Sequence, residues 1–241
     1  MQASDLKIKV FADGADLSVI KALDSNPLVR GYTTNPTLMR SAGVEDYKSF
    51  ALEVLQTVPN KPVSFEVFAD DFPTMEKQAR EIASWGSNAN VKIPVTNTKG
   101  ETAVPLIEKL SADGISLNIT ALFTIEHVRD AAAAVHNDTP AILSVFAGRV
   151  ADVGIDPIPL MVEAVRLAAP KPKAEVLWAS TREVFNVIEA DRIGCQIITA
   201  PEGVIKKLAG LGSSAEDIGL QAVRVFYADA QAAGFDIPTG Q

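Results

Sequence analysis

Eight short runs rich in β-branched residues recur from one end of the chain to the other, and no other feature restricts the fold as much. They are KIKVFAD, VRGYTTN, VSFEVFA, NVKIPV, ISLNIT, AILSVFA, AEVLWAS and CQIIT. Between them lie segments whose apolar residues fall three and four positions apart, such as VEDYKSFALEVLQ, FPTMEKQAREIASW, TAVPLIEKLSADG and PIPLMVEAVRLAA. Regular alternation of strand and helix predicts a parallel sheet with right-handed crossovers. Eight such units without interruption predict closure into a (β/α)8 TIM barrel; the alternative is an open, doubly wound sheet. The 241 residues match the ~250 of one such barrel. No linker, low-complexity segment or composition shift divides them, so residues 1–241 are expected to form a single α/β domain. Ile218, Val223, Phe226 and Tyr227 then keep a helical period between Ser214 and Gly234. This predicts an extra C-terminal helix that packs on the barrel or on a neighbouring subunit.

Barrel strands alternate between the interior and the helix layer, and active sites lie at their C-terminal ends. In VKIPV, the apolar Val91, Ile93 and Val95 take one parity and Lys92 the other. In VSFEVF, Val63, Phe65 and Val67 face out and leave Ser64 and Glu66 inside. In ISLNIT, the inward set is Ser116, Asn118 and Thr120. Asp13 and Asn35 are placed at the ends of the first two strands, and Ser144 and Ser180 on strands six and seven. The polar residues therefore converge on one mouth. An inward serine or threonine is common in ordinary barrel cores, but lysine and glutamate are rarely buried without a partner. Burial that disfavours an ammonium supplies the neutral amine that attacks a carbonyl. The bland reading of Lys92 is an ion pair with Glu66 or Asp13.

Basic residues follow strands six and seven, Arg149 in SVFAGRVAD and Arg182 in WASTREV. With Ser180 they form a candidate phosphate clamp, because guanidinium forks match phosphate oxygens and barrel phosphate sites often occupy this late part of the rim. Such placed cations matter here, since 22 Lys and Arg against 30 Asp and Glu leave a net charge of -8. That sign repels anionic substrates in general and argues against a nucleic-acid partner. The sole cysteine, Cys195, cannot form an internal disulfide and reads as a small buried hydrophobe. GLGSSA near residue 210 follows a helix rather than a strand, so it reads as a loop and not a dinucleotide site. His127 and His136 lack metal-ligand spacing, and no metal site is expected. The N-terminal segment lacks a signal-peptide pattern and no run approaches a membrane span, which predicts a cytoplasmic protein without a membrane partner.

The segments FADGAD, GYTTNPTL, SFEV, VKIPVT, SLNITALFT, SVFAGRVAD and WASTREV, in this order, closely resemble the transaldolase family, over nearly the whole chain. The length is similar to its short branch, which also holds the fructose-6-phosphate aldolases. The resemblance implies that Lys92 forms a Schiff base with C2 of a ketose phosphate and that Asp13 is the general acid and base. Glu66 and Thr120 would position a water during imine formation and hydrolysis. Asn35, Asn118 and Ser144 would bind the hydroxyls of a retained dihydroxyacetone unit. Arg149, Ser180 and Arg182 would hold the phosphate, and Phe146 would form one wall. No cofactor is implied, because a protonated imine is itself the electron sink.

Two positions bear on the branch. The aldolases that the chain resembles typically carry Gln where Glu66 stands and Tyr where Phe146 stands, so both residues favour group transfer. SVF replaces the common SPF beside Ser144. The family resemblance also implies a homo-oligomer, since short members commonly form rings of five or ten. The expected function is a transaldolase of the pentose phosphate pathway. The alternatives are an aldolase releasing free dihydroxyacetone, a relative acting on another anionic ketose such as a sulfosugar, and a silent phosphosugar-binding barrel.

Overall fold

A computed structural model describes residues 1–239; the last two residues of the expected domain lie outside the described ones. In chain order the elements are β1 (Lys9–Asp13), α1 (Leu17–Asp24), β2 (Val29–Thr33), α2 (Pro36–Ser41), α3 (Tyr47–Thr57), β3 (Val63–Glu66), α4 (Phe72–Ala83) and β4 (Ala89–Pro94). There follow α5 (Val104–Ala112), β5 (Leu117–Leu122), α6 (Ile125–Ala134), β6 (Ala141–Val145), α7 (Ala147–Asp152), α8 (Ile158–Ala168), β7 (Ala174–Trp178) and α9 (Val184–Arg192). The chain ends with β8 (Ile197–Ala200), α10 (Glu202–Lys207) and α11 (Ala215–Ala233). The eight strands pair in sequence order, all parallel, and β8 closes on β1. This is the (β/α)8 barrel that the alternation predicts, and the open sheet is excluded.

Local chemistry sets the helix starts. Asp46, Asp71 and Thr124 accept backbone N–H bonds at the first turns of α3, α4 and α6, satisfying donors that a helix start leaves open. Met75, Ala79 and Ile82 recur at helical spacing along α4 and are all buried. They pack with the outward strand residues Phe65, Val91, Ile93, Leu117 and Ile119 in one continuous layer between barrel and helices. At roughly 1.5–3 kcal/mol for each large apolar side chain, that layer is the main stabilising term. Cys195 is buried too, and burial pushes its thiol up to about 12, so it behaves as a small hydrophobe.

Inside the barrel a second, smaller apolar cluster joins Phe11, Ile142, Leu177, Ala179 and Ile197. The Phe11 ring crosses to β2, where a Cβ on Gly31 would lie 2.6 Å from it, so glycine is what lets the ring fill the axis. These side chains separate the two ends of the barrel. Beneath them, at the N-terminal face, is a cavity of about 770 Å³ bordered by Lys9, Arg30, Asn90 and Glu175. Above them lies the polar mouth.

The C-terminal helix is present where the periodicity places it. Ser214 caps α11, and Gly234 ends it in the left-handed region at φ 64°. It buries no residue in this chain: Phe226 is 71% exposed and Tyr227 68%. Packing on its own barrel, one of the two expected arrangements, is therefore not what the structure shows. No helix among the described residues is long and apolar enough to cross a membrane.

Candidate active site

Strand parity brings Lys92 to the interior as expected, with 6% of its surface exposed. Its register neighbours are Glu66 on β3 and Asn118 on β5. The Lys92 Nζ lies 3.1 Å from Glu66 Oε2 and donates at 3.1 Å to the carbonyl of Thr34. The ion pair with Glu66 thus exists, and it sits in the mouth rather than in the apolar interior. Glu66 is held from outside the barrel: the Tyr47 hydroxyl donates to its carbonyl at 2.9 Å, and the Tyr47 ring meets Phe65, Phe68 and Trp85.

Asp13 ends β1 and faces the same space. Burial pushes its carboxyl above the usual carboxylate range, partly offset by the Thr33 hydroxyl, which donates to Oδ1 at 2.7 Å, and by the charge of Lys92. A carboxyl so placed accepts a proton more readily than a solvated one.

On the opposite wall Asn118 is fixed at both ends. Its Nδ2 donates to Ser64 Oγ at 2.9 Å and its Oδ1 accepts from Ser144 Oγ at 2.6 Å. One Asn118 N–H remains to donate to a ligand hydroxyl. Thr120, two residues further up β5, is 2% exposed, and its hydroxyl has no hydrogen-bond partner among the described residues. A buried hydroxyl left unpaired costs about 1–3 kcal/mol, and functional sites are where such groups persist. Immediately after it Ala121 adopts φ 60° as β5 leaves its register with β6.

Two positions differ from the sequence expectation. Asn35 lies two residues beyond β2 rather than at its end, and its Oδ1 caps α2 by accepting from Leu38 N at 2.9 Å. Its amide N–H groups and the second lone pair of Oδ1 are left for a ligand. Ser180 lies not on strand seven but two residues past it, in the left-handed region at φ 63°. Apart from glycines, Ala121 and Ser180 are the described residues with positive φ. Each costs on the order of 1–3 kcal/mol, and both stand on the rim.

Both arginines act on Asp152, Arg182 through hydrogen bonds and Arg149 through charge alone. Arg182 donates to Asp152 from Nε at 3.0 Å and from Nη2 at 2.5 Å. The Arg182 hydrogen bond holds the Asp152 carboxyl below its usual range, and the charge of Arg149 contributes. Arg149 itself lies 5.3 Å from the centre of the Phe146 ring, which leans on Phe123. The loop after β7 approaches α7 so closely that a Cβ on Gly148 would lie 1.6 Å from the Ser180 carbonyl oxygen.

Thr33, Thr199 and the carbonyl of Thr34 also belong to this mouth without having been assigned to it. The strands of Thr33 and Thr199 lack the clean alternation that found Lys92, since the apolar Val29 shares the parity of Thr33, and Cys195 and Ile197 share that of Thr199. Asp152 carried no signal either, because its partner Arg182 is thirty residues away.

A buried lysine beside carboxylates on the C-terminal rim of a parallel eight-stranded barrel marks a barrel enzyme, since active sites of this fold are built there. Comparison with known proteins makes the class specific. A family model described as Transaldolase/Fructose-6-phosphate aldolase matches residues 10–239. A Probable transaldolase of Ruegeria sp. (strain TM1040) is 34% identical over 232 residues, covering 95% of this chain and 100% of that one. A Probable transaldolase of Dehalococcoides mccartyi is 34% identical over 202 residues, 83% of this chain and 90% of the other. The crystal structure of KGPDC from Streptococcus mutans superposes with a TM-score of 0.55 at 12% identity, covering 85% of this chain and 92% of that one, a likeness of fold alone. The chain belongs to the transaldolase/fructose-6-phosphate aldolase family and is a transaldolase-type enzyme.

Proposed function

We propose that the protein is a transaldolase that moves a dihydroxyacetone unit through a Schiff base on Lys92. The donor is a ketose phosphate, sedoheptulose 7-phosphate or fructose 6-phosphate, and the acceptor is glyceraldehyde 3-phosphate or erythrose 4-phosphate, as in the pentose phosphate pathway. The observation that carries this reading is the buried Lys92 with Glu66 in contact and Asp13 facing the same mouth.

The Lys92 amine adds to the C2 carbonyl, and loss of water leaves a protonated imine. Asp13 takes the proton of the C4 hydroxyl while the C3–C4 electron pair moves into the imine, releasing an aldose phosphate and leaving an enamine. The enamine carbon then attacks the acceptor aldehyde, and Asp13 returns its proton to the new alkoxide. Water hydrolyses the imine, a step in which Glu66 and the unpaired hydroxyl of Thr120 hold that water. Asn118, Ser144 and the amide of Asn35 bind the retained hydroxyls. Phe146 walls the site, and Arg149, Arg182 and Ser180 take the phosphate, Arg182 sharing its guanidinium with Asp152.

Incubation with fructose 6-phosphate tests the reading. Glyceraldehyde 3-phosphate is expected to accumulate only when erythrose 4-phosphate is present, with little free dihydroxyacetone. Equal release of both three-carbon products without an acceptor would instead make the protein an aldolase. Because burial raises the Asp13 carboxyl, the acid limb of the kcat/KM profile is expected above the range of an ordinary carboxylate. A limb at or below that range would remove Asp13 from the base role.

The exposed apolar residues along α11 support a homo-oligomer, and the family resemblance suggests a ring of five or ten subunits. Ending the chain after Gly212 is expected to leave monomers by light scattering; an unchanged mass would place the interface elsewhere.

A further inference from the structure

On β8, Thr199 is 4% exposed and takes no part in the steps above. Its hydroxyl lies 2.5 Å from that of Thr33, which bonds Asp13 at 2.7 Å. The geometry of this pair admits either donor, but Thr33 has one proton and a carboxylate can only accept. While Asp13 is ionised, Thr33 must donate to it, so Thr199 must donate to Thr33. The chain therefore runs Thr199 to Thr33 to Asp13 Oδ1, from β8 to β2 and back to β1 between them.

A proton on Oδ1, donated to Thr33, would break that order. Whether Thr33 then donates to Thr199 or accepts from it as well, one of the two hydroxyl protons is left without an acceptor among the hydrogen bonds of the described residues. The second carboxylate oxygen, Oδ2, carries no hydrogen bond among these residues and is free of that penalty. The Thr199 backbone is anchored as well, because Thr181 Oγ1 donates to its carbonyl at 2.7 Å.

We propose that Thr199 is a positioning residue for Asp13: through Thr33 it commits Oδ1 to accepting a hydrogen bond and reserves Oδ2 for the proton exchanged with substrate. This rests on the role given to Asp13 above. Such a chain favours the carboxylate, since each hydrogen bond polarises the next. The other charged groups around Asp13 are Lys92 from β4, Glu66 beyond it, and Asp16 and Glu202, which line a surface recess with Asp13. None of them is hydrogen-bonded to the Thr199 side chain.

The test compares Thr199→Val and Thr199→Ser with the wild-type chain, using fructose 6-phosphate and erythrose 4-phosphate. Borohydride trapping on Lys92 reads imine formation, and kcat and its pH profile read proton transfer. For Thr199→Val the adduct and the donor KM are expected to stay at wild-type level while kcat falls roughly 3- to 30-fold. Its acid limb is expected to move up by about half to one pH unit, and Thr199→Ser is expected to restore both. Wild-type kcat and profile in Thr199→Val would overturn the proposal, and so would equal impairment of both variants, which would point to lost packing. Absence of an adduct in the wild-type chain would instead overturn the Schiff-base reading itself.

Discussion

Replacing Lys92 by methionine is expected to lower turnover by at least about 10⁴-fold, the scale on which enzymes lose rate when a covalent nucleophile is removed. Methionine keeps the length and apolar stem of lysine while removing the amine, so the barrel wall stays filled. The Thr34 carbonyl and Glu66 lose their partner, yet Glu66 keeps 18% of its side chain open toward solvent and can hydrate. The variant should therefore retain the circular dichroism of the folded protein. Mass spectrometry after borohydride reduction with fructose 6-phosphate should find the sugar adduct on Lys92 in the wild-type chain and none in the variant. An adduct that persists on another lysine, or turnover that persists without one, would sink the proposed mechanism.

Gly148→Ala is expected to be the most damaging single methyl on the rim. The added carbon would sit 1.6 Å from the Ser180 carbonyl oxygen and 2.6 Å from its carbon, and neither is the end of a flexible side chain. Either α7 or the loop after β7 must move, and the loop is already held in a left-handed turn at Ser180. A forced backbone shift of this kind costs about 3–5 kcal/mol. For a chain of this length that lowers Tm by roughly 10 °C. Because Arg149 follows Gly148 and Arg182 follows Ser180, the same shift separates the two cations, and KM for phosphorylated substrates should rise. Scanning calorimetry with steady-state kinetics checks both; an alanine variant that melts and binds like the parent would show that the two backbones are not in contact.

The barrel was legible because its signal is repeated. Eight apolar runs and their intervening helical periods each support the same topology, so an error in one boundary does not alter the whole. The interior lysine was legible for a similar reason, since Val91 and Ile93 flank Lys92 and only one face of a strand can be outward. Residues beyond the strand ends follow no such period. Ser180 reads as strand because WAS continues an apolar run, yet the backbone there enters the left-handed region and passes tightly against Gly148. Asn35 looks like a ligand donor, and its amide oxygen already serves α2, a demand visible only once the helix start is located. Asp152 illustrates the limit most clearly. It ends α7 and takes its meaning from a partner on the loop after β7, and one sequence holds no record of which segments meet. The exposed face of α11 could be read as apolar but not assigned a neighbour, since periodicity describes a surface and not what covers it.

The apolar cluster of Phe11, Ile142, Leu177, Ala179 and Ile197 has a kinetic corollary. It makes the reaction chamber a room with one doorway, because nothing bound near Lys92 can leave toward the cavity on the far side. Under the proposed chemistry the first aldose must clear the entrance before the second arrives. Initial-rate plots at several acceptor concentrations should then give parallel lines. The departing aldose should inhibit by competing with the incoming one for the same vestibule. Turnover becomes an alternation of traffic, set by the apolar layer that closes the far end of the barrel.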